Sequence, residues 1–226
     1  MSSSPASPAT PANPGIAAPL RLRFVAAGLV LGAITFGVGY LVRRMVQPAK
    51  TDTASMTAAV HDHAGAWTLA GLLAMASAFL LLAGVSAAGR SVPERGATLT
   101  VLGAGLTVVG LLGSLVHAAG FYGFYGVYAK SGADADAVHA IDSASGSYPL
   151  FGVGIGLFMA GLLLGPILLT IGLRRAGVVP VWVPIAAVVF AVSGAVNGTA
   201  AGVVGLIAAV LTFGAIGVSL LRRQAV

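Results

Sequence analysis

Five long apolar runs, each free of Asp, Glu, Lys and Arg, dominate the chain: residues 24–42, 64–89, 96–129, 143–173 and 176–221. Short clusters of charged residues separate them. A helix rises ~1.5 Å per residue, so crossing ~30 Å of hydrocarbon takes ~20 apolar residues. Each of the first four runs supplies one span. The fifth has 46 residues, enough for two spans and a turn, and Asn197-Gly198-Thr199 near its middle is the turn-forming cluster. The pattern predicts six transmembrane helices, about 22–42, 65–89, 96–119, 149–173, 179–197 and 199–221. The runs are continuous rather than alternating, which excludes a membrane β-barrel. The expected fold is therefore all-α: a polytopic transmembrane helical bundle built as three hairpins.

Composition agrees. Of the 226 residues, 58% are hydrophobic and 8% charged, against roughly 25% charged in soluble domains. The first 20 residues are Pro, Ala and Ser with little else, and such a stretch cannot bury apolar surface. They are expected to form a disordered tail, leaving 21–226 as the membrane domain. The extreme N-terminus has no basic region. The run after Arg21 and Arg23 is longer than a usual signal core, and Arg43-Arg44 follow it directly with no clear small-residue cleavage site, so it reads as a retained helix rather than a signal peptide. The richness in Ala, Gly and Val points to a bacterial gene, and so to the inner cell membrane. Cysteine is absent, which removes disulfides and thiolate chemistry.

The net charge of +6 changes the picture in one way. The basic residues sit at helix ends, where membrane topology expects them, and no nucleic-acid partner is implied. With the N-terminus inside, eight Lys and Arg face the cytoplasm: Arg21, Arg23, Arg90, Arg95, Arg174, Arg175, Arg222 and Arg223. Four face outward: Arg43, Arg44, Lys50 and Lys130. This predicts both termini in the cytoplasm, with Arg43-Arg44 as the discordant pair.

That orientation gathers chemistry on one face. His61, His63, His117 and His139 all fall on or near the outer side, with Asp52, Asp62, Asp134, Asp136 and Asp142. The loop from 120 to 148 opens with Phe121, Tyr122, Phe124, Tyr125 and Tyr128, which fit an interfacial aromatic belt. A short surface helix is expected near 134–142. Another is expected within 43–63, capped by Ser55 and burying Met56, Val60, His63 and Trp67 on one face. Helix–helix packing should use Gly28/Gly32, Gly152/Gly156, Gly161/Gly165 and Gly198/Gly202. In the third helix Gly110, Gly113, Ser114 and His117 form one stripe, which should face protein.

Three functional readings follow. The first is a non-enzymatic membrane subunit or scaffold, working with the bilayer and with other membrane subunits or further copies of itself. No P-loop, G-x-S-x-G or H-E-x-x-H motif argues for an enzyme. The second is a cofactor site on the outer face. In an extended segment His61 and His63 project to the same side. With His117, and with Asp62, His139 or Asp142, they offer imidazoles and a carboxylate suited to Zn²⁺ or Cu²⁺. His63 and His117 are alternatively the axial ligands of a haem. The third is a transporter for a neutral or lipidic solute. Proton-coupled carriers place acidic or basic groups within their spans, and here His117 is the one ionisable side chain inside a predicted span.

Overall fold

The computed structural model describes residues 17–90 and 95–223, with side chains from residue 23. The tail expected over 1–20 lies outside the described residues except for its last four, which already belong to a helix. Ser91–Glu94 of the basic turn are outside them too.

The described residues are helical throughout, with no strand. Helix α1 spans Ala17–Val46, α2 Thr53–Asp62, α3 Ala64–Gly89 and α4 Ala97–His117. A π-helical turn, Ala118–Tyr122, joins α4 to α5, Gly123–Ser131. Then come α6 (Ala135–Ser147), α7 (Pro149–Arg175), α8 (Trp182–Ala195) and α9 (Thr199–Ala209). A second π turn, Val210–Gly214, leads into α10, Ala215–Arg222. Five stretches are long and apolar enough to cross a bilayer: Arg23–Val46, Ala64–Gly89, Ala97–Ser131, Pro149–Arg175 and Thr199–Arg222. The chain is a multi-pass membrane protein.

The helices form a ring in chain order. Helix α1 packs on α3, α3 on α4, α4 on α7, α7 on α8, and α8 on α9, and α9 and α10 return to α1. Helix α1 finishes where α9 begins, since Arg44 bonds Asn197. At the other end Arg223 donates to the Ala176 carbonyl at 3.2 Å, and Gly217 lies against Ala26. Both termini of the described chain therefore sit at the end where loops are short. The opposite end is capped by α2, α5 and α6. Helix α8 is a shorter apolar helix that leads from the short-loop end toward the capped end. It has 14 residues, about 21 Å of rise, less than a full span. The helix expected over 179–197 is cut short for local reasons. Gly177 has φ 68° and Pro180 precedes the first turn, while Val196 is extended and Gly198 has φ 99°.

Glycine sets the closest seam. Along α4–α7, Gly103 lies on Leu169, Gly110 on Gly161, Gly165 on Thr107 and Gly172 on Thr100. A side chain at these points would meet partner backbone, so the helices approach as small residues in membranes allow. Gly28 and Gly32 likewise sit on Leu80 and Leu81 of α3. Gly152 and Gly156, in contrast, meet nothing within 4 Å, and Gly198 serves the turn. The centre of the ring is filled by Leu29, Leu81, Leu111, Leu169, Leu173, Phe213 and Ile216, all buried.

Two expectations about the capped end need correction. Residues 120–131 are not a loop: the third span continues as helix to Ser131. A π turn intervenes at 118–122, and Phe121, Tyr122 and Tyr125 pack on Trp67 while Phe124 is exposed. Trp67 is 1% exposed, and its indole N–H donates to the Tyr122 carbonyl at 3.0 Å. Helix α2 is capped by Asp52, not Ser55: the Ser55 amide and hydroxyl both donate to its carboxylate at 2.9 Å. Met56 and Val60 are buried under α2 as the periodicity requires, but His63 is exposed.

Candidate functional site: a central cavity with a cationic rim

The expected end of the first helix, residue 42, falls short. Helix α1 continues to Val46 and carries Arg43 and Arg44 as helical residues. Both turn toward the ring. Arg44 is 5% exposed. It donates to the Asn197 side-chain carbonyl, to the Tyr40 hydroxyl at 2.6 Å and to the Gly194 carbonyl at 3.1 Å. Tyr40 passes its own proton to the Ser193 carbonyl at 2.7 Å. This set ties the end of α1 to the α8–α9 turn. Arg43 lies one position round the helix. Its guanidinium carbon is 5.1 Å from the Tyr40 ring centroid and 5.9 Å from that of Phe121. The Nε atoms of both arginines are buried without a hydrogen-bond partner.

Arg43 lines a cavity of ≈ 220 Å³ at the capped end of the ring. Five helices contribute: Phe36 and Tyr40 from α1, Ala74 from α3, Ser114 and His117 from α4, Phe158 and Leu162 from α7, Phe190 and Ser193 from α8. The walls are apolar and the polar groups cluster at Arg43, Tyr40 and His117. Ile155 and Met159 of α7 also line it, and they are 49% and 38% exposed, so the cavity borders the lipid-facing surface. Away from the capped end the packed leucines close the ring, leaving a one-ended chamber.

His117 sits between two rings, stacked on Phe121 at 5.1 Å and Phe158 at 4.8 Å between centroids. Its stripe faces protein as the spacing implies: Gly110 meets Gly161, Gly113 meets Phe158 and Ser114 is buried. Ser114 gives its hydroxyl proton to the Leu111 carbonyl at 2.7 Å.

The other candidate ligands lie elsewhere. His61 is in the last turn of α2 and His63 is the residue between α2 and α3, so the segment is not extended. His61 pairs with Asp62 at 3.5 Å, both side chains 72% exposed. His139 is exposed on α6. Asp142 accepts from Thr53 at 2.6 Å and from the Tyr125 hydroxyl at 3.4 Å, fastening α6 to α2 and α5. Among the described residues no three His, Asp or Glu side chains converge as a metal site. His63 is not among the cavity-lining residues that include His117.

Arg43, Arg44 and Tyr40 were missed as site residues. The available signal was their spacing, since Tyr40 with Arg43 and Arg44 at i+3 and i+4 shares one helix face. A second signal was their misfit to the charge rule. A scan against known protein families finds no match, and searches of curated proteins and of solved structures find no significant match either.

Proposed function

We propose that this chain is a non-enzymatic, six-pass protein of the bacterial inner membrane, both termini cytoplasmic, that holds an amphiphilic ligand from the bilayer in its central cavity. The observation that carries this reading is the chamber itself: apolar walls, a polar rim and a border on the lipid-facing side of α7. Such a mix of apolar surface and few convergent polar groups is the ordinary build of a ligand site. The packed ring beneath it favours holding or handing over a lipidic solute rather than conducting one. Ser114 supports the non-enzymatic reading, because its hydroxyl is committed to a backbone carbonyl. The sixth crossing rests on α8, which must return the chain between α7 and α9. The open glycines Gly152, Gly154 and Gly156 on α7 favour a partner helix there, from another subunit or a second copy.

The test is direct. Full-length protein purified in a mild neutral detergent should retain about one amphiphile per chain by native mass spectrometry. Ala191 of α8 also lines the cavity, and Ala191→Leu, which fills it, should release the ligand. A chain that retains none, and takes up none when lipids are added back, overturns the reading. A reporter fused after Val226 should prove cytoplasmic; a periplasmic signal overturns the topology.

A further inference from the structure

We propose that Arg43 is the headgroup receptor of this cavity, and that the ligand is an anionic amphiphile carrying one carboxylate or phosphate group on an acyl chain. This rests on the amphiphile reading above and adds the sign of the charge. Two guanidinium groups enter the bundle in adjacent positions of α1. Their partners are neutral: Asn197, Tyr40 and Gly194 for Arg44, and the Tyr40 hydroxyl with the Tyr40 and Phe121 rings for Arg43. Among the described residues the ion pair is His61–Asp62, on the surface, and no described carboxylate pairs with either arginine. Charges removed from water are normally matched by an opposite charge. Here the protein supplies two cations in one layer and leaves the matching anion to something else.

Arg44 is engaged by three oxygens and acts as the fixed support. Arg43 faces the chamber with a buried, unpartnered Nε. A guanidinium presents a planar fork of donors that fits the two oxygens of a carboxylate or phosphate. Low dielectric around it strengthens the attraction. The Tyr40 and Phe121 ring centroids lie 5.1 and 5.9 Å from the Arg43 guanidinium carbon, and neither ring neutralises its charge. The remaining walls, Phe36, Phe158, Leu162 and Phe190, suit hydrocarbon. A chamber of ≈ 220 Å³ is below the roughly 300–1,000 Å³ of a pocket that encloses a whole drug-sized ligand. It seats a headgroup and the first carbons. The chain then leaves past Ile155 and Met159 into lipid.

The experiment uses full-length protein in neutral detergent and five probes: oleate, oleyl alcohol, dioleoyl phosphatidylglycerol, dioleoyl phosphatidylcholine and inorganic phosphate. Oleate and oleyl alcohol share a chain and differ in charge. Wild-type protein should bind oleate or phosphatidylglycerol at least tenfold tighter than oleyl alcohol or phosphatidylcholine. Preference for oleate identifies a free carboxylate as the source; preference for phosphatidylglycerol identifies a membrane phospholipid. R43Q should erase the discrimination while elution and melting stay near wild type. If R43Q does not fold, the wild-type comparison still stands, and Ala191→Leu should abolish anion binding and locate it in the chamber. Equal binding of oleate and oleyl alcohol overturns the anionic assignment but leaves the cavity reading intact. Inorganic phosphate binding as tightly as either lipid overturns the amphiphile. Binding of no probe overturns both this proposal and the one beneath it.

Discussion

Helix α7 carries glycines in two opposite environments, and alanine should separate them by sign. Gly161 lies on Gly110 across the α4–α7 seam. A Cβ there would stand 2.6 Å from the Leu106 carbonyl oxygen and 2.5 Å from the Gly110 Cα. Ordinary carbon contacts lie at about 3.5–4.0 Å, so α7 must retreat by about 1 Å, and a gap of that size forfeits roughly a quarter to a half of the attraction across the seam. Overpacking of this kind costs about 1–3 kcal/mol. Replacing a helical glycine returns about 0.5–1 kcal/mol through backbone entropy. The net loss for Gly161→Ala is about 1–2 kcal/mol, a drop in Tm of about 2–8 °C for a chain of this size. Gly152, about two and a half turns earlier on the same helix, has nothing within 4 Å of its added Cβ. Only the entropy remains, so Gly152→Ala should raise Tm by about 1–4 °C. Thermal unfolding in one detergent, followed by circular dichroism, compares the two. Gly161→Ala melting at or above wild type, or Gly152→Ala falling as far as Gly161→Ala, would refute the close-seam account.

Three further outcomes are expected. Arg44→Ala removes three charge-assisted hydrogen bonds and should destabilise the bundle by about 2–4 kcal/mol; a double-mutant cycle with Asn197→Ala should show coupling above about 0.5 kcal/mol in the same melts. Asp142→Ala frees α6 from Thr53 and Tyr125, at about 1–2 kcal/mol, and amide exchange across 135–147 should accelerate while α4 is unchanged. The Asp52 carboxyl is held below its ordinary value, first by the Ser55 amide and then by its hydroxyl. Its folded-state value is therefore the depressed one, so the cap is complete above the ordinary carboxylate range and is lost as pH falls through that depressed value. Amide exchange of Ser55 and Met56 should quicken in that window, and Asp52→Asn, which still caps, should remove the pH dependence.

The helical membrane character was legible because lipid leaves a spanning chain no alternative: backbone groups must bond within the span, so each crossing needs an unbroken apolar run. What stayed hidden was set by partners distant in sequence. The first helix was ended at residue 42, before Arg43, because charge marks a membrane boundary on average. The oxygens that let α1 continue belong to Gly194 and Asn197, 150 and 153 residues away. The Thr53–Asp142 bond joins positions 89 apart, so no local pattern could assign that carboxylate to a fastening role. The aromatic cluster from Phe121 to Tyr128 was read as interfacial because rings collect there. Its packing on Trp67 comes with the π turn at 118–122, and spacing counted at ordinary helical period cannot show that. His117 stood out in the sequence as an ionisable group inside a predicted span, but the residues that share its cavity come from α1, α7 and α8.

Arginine at a membrane edge serves one of two ends, and what the guanidinium touches separates them. Arg174, Arg175 and Arg222 are exposed at the short-loop end, where positive charge is expected if that end faces the cytoplasm. Arg43 and Arg44 touch Tyr40, Phe121, Asn197 and Gly194 inside the ring. Counting them as loop charges mixes the two uses. Set aside, they leave Lys50 and Lys130 at the capped end, against Arg23, Arg90, Arg95, Arg174, Arg175, Arg222 and Arg223 among the described residues at the other. The asymmetry then becomes steeper than the sequence count. A basic pair that fits the topology rule badly is thus informative in itself: the cost of keeping it there has to be met by contacts, and those contacts define the rim of the chamber.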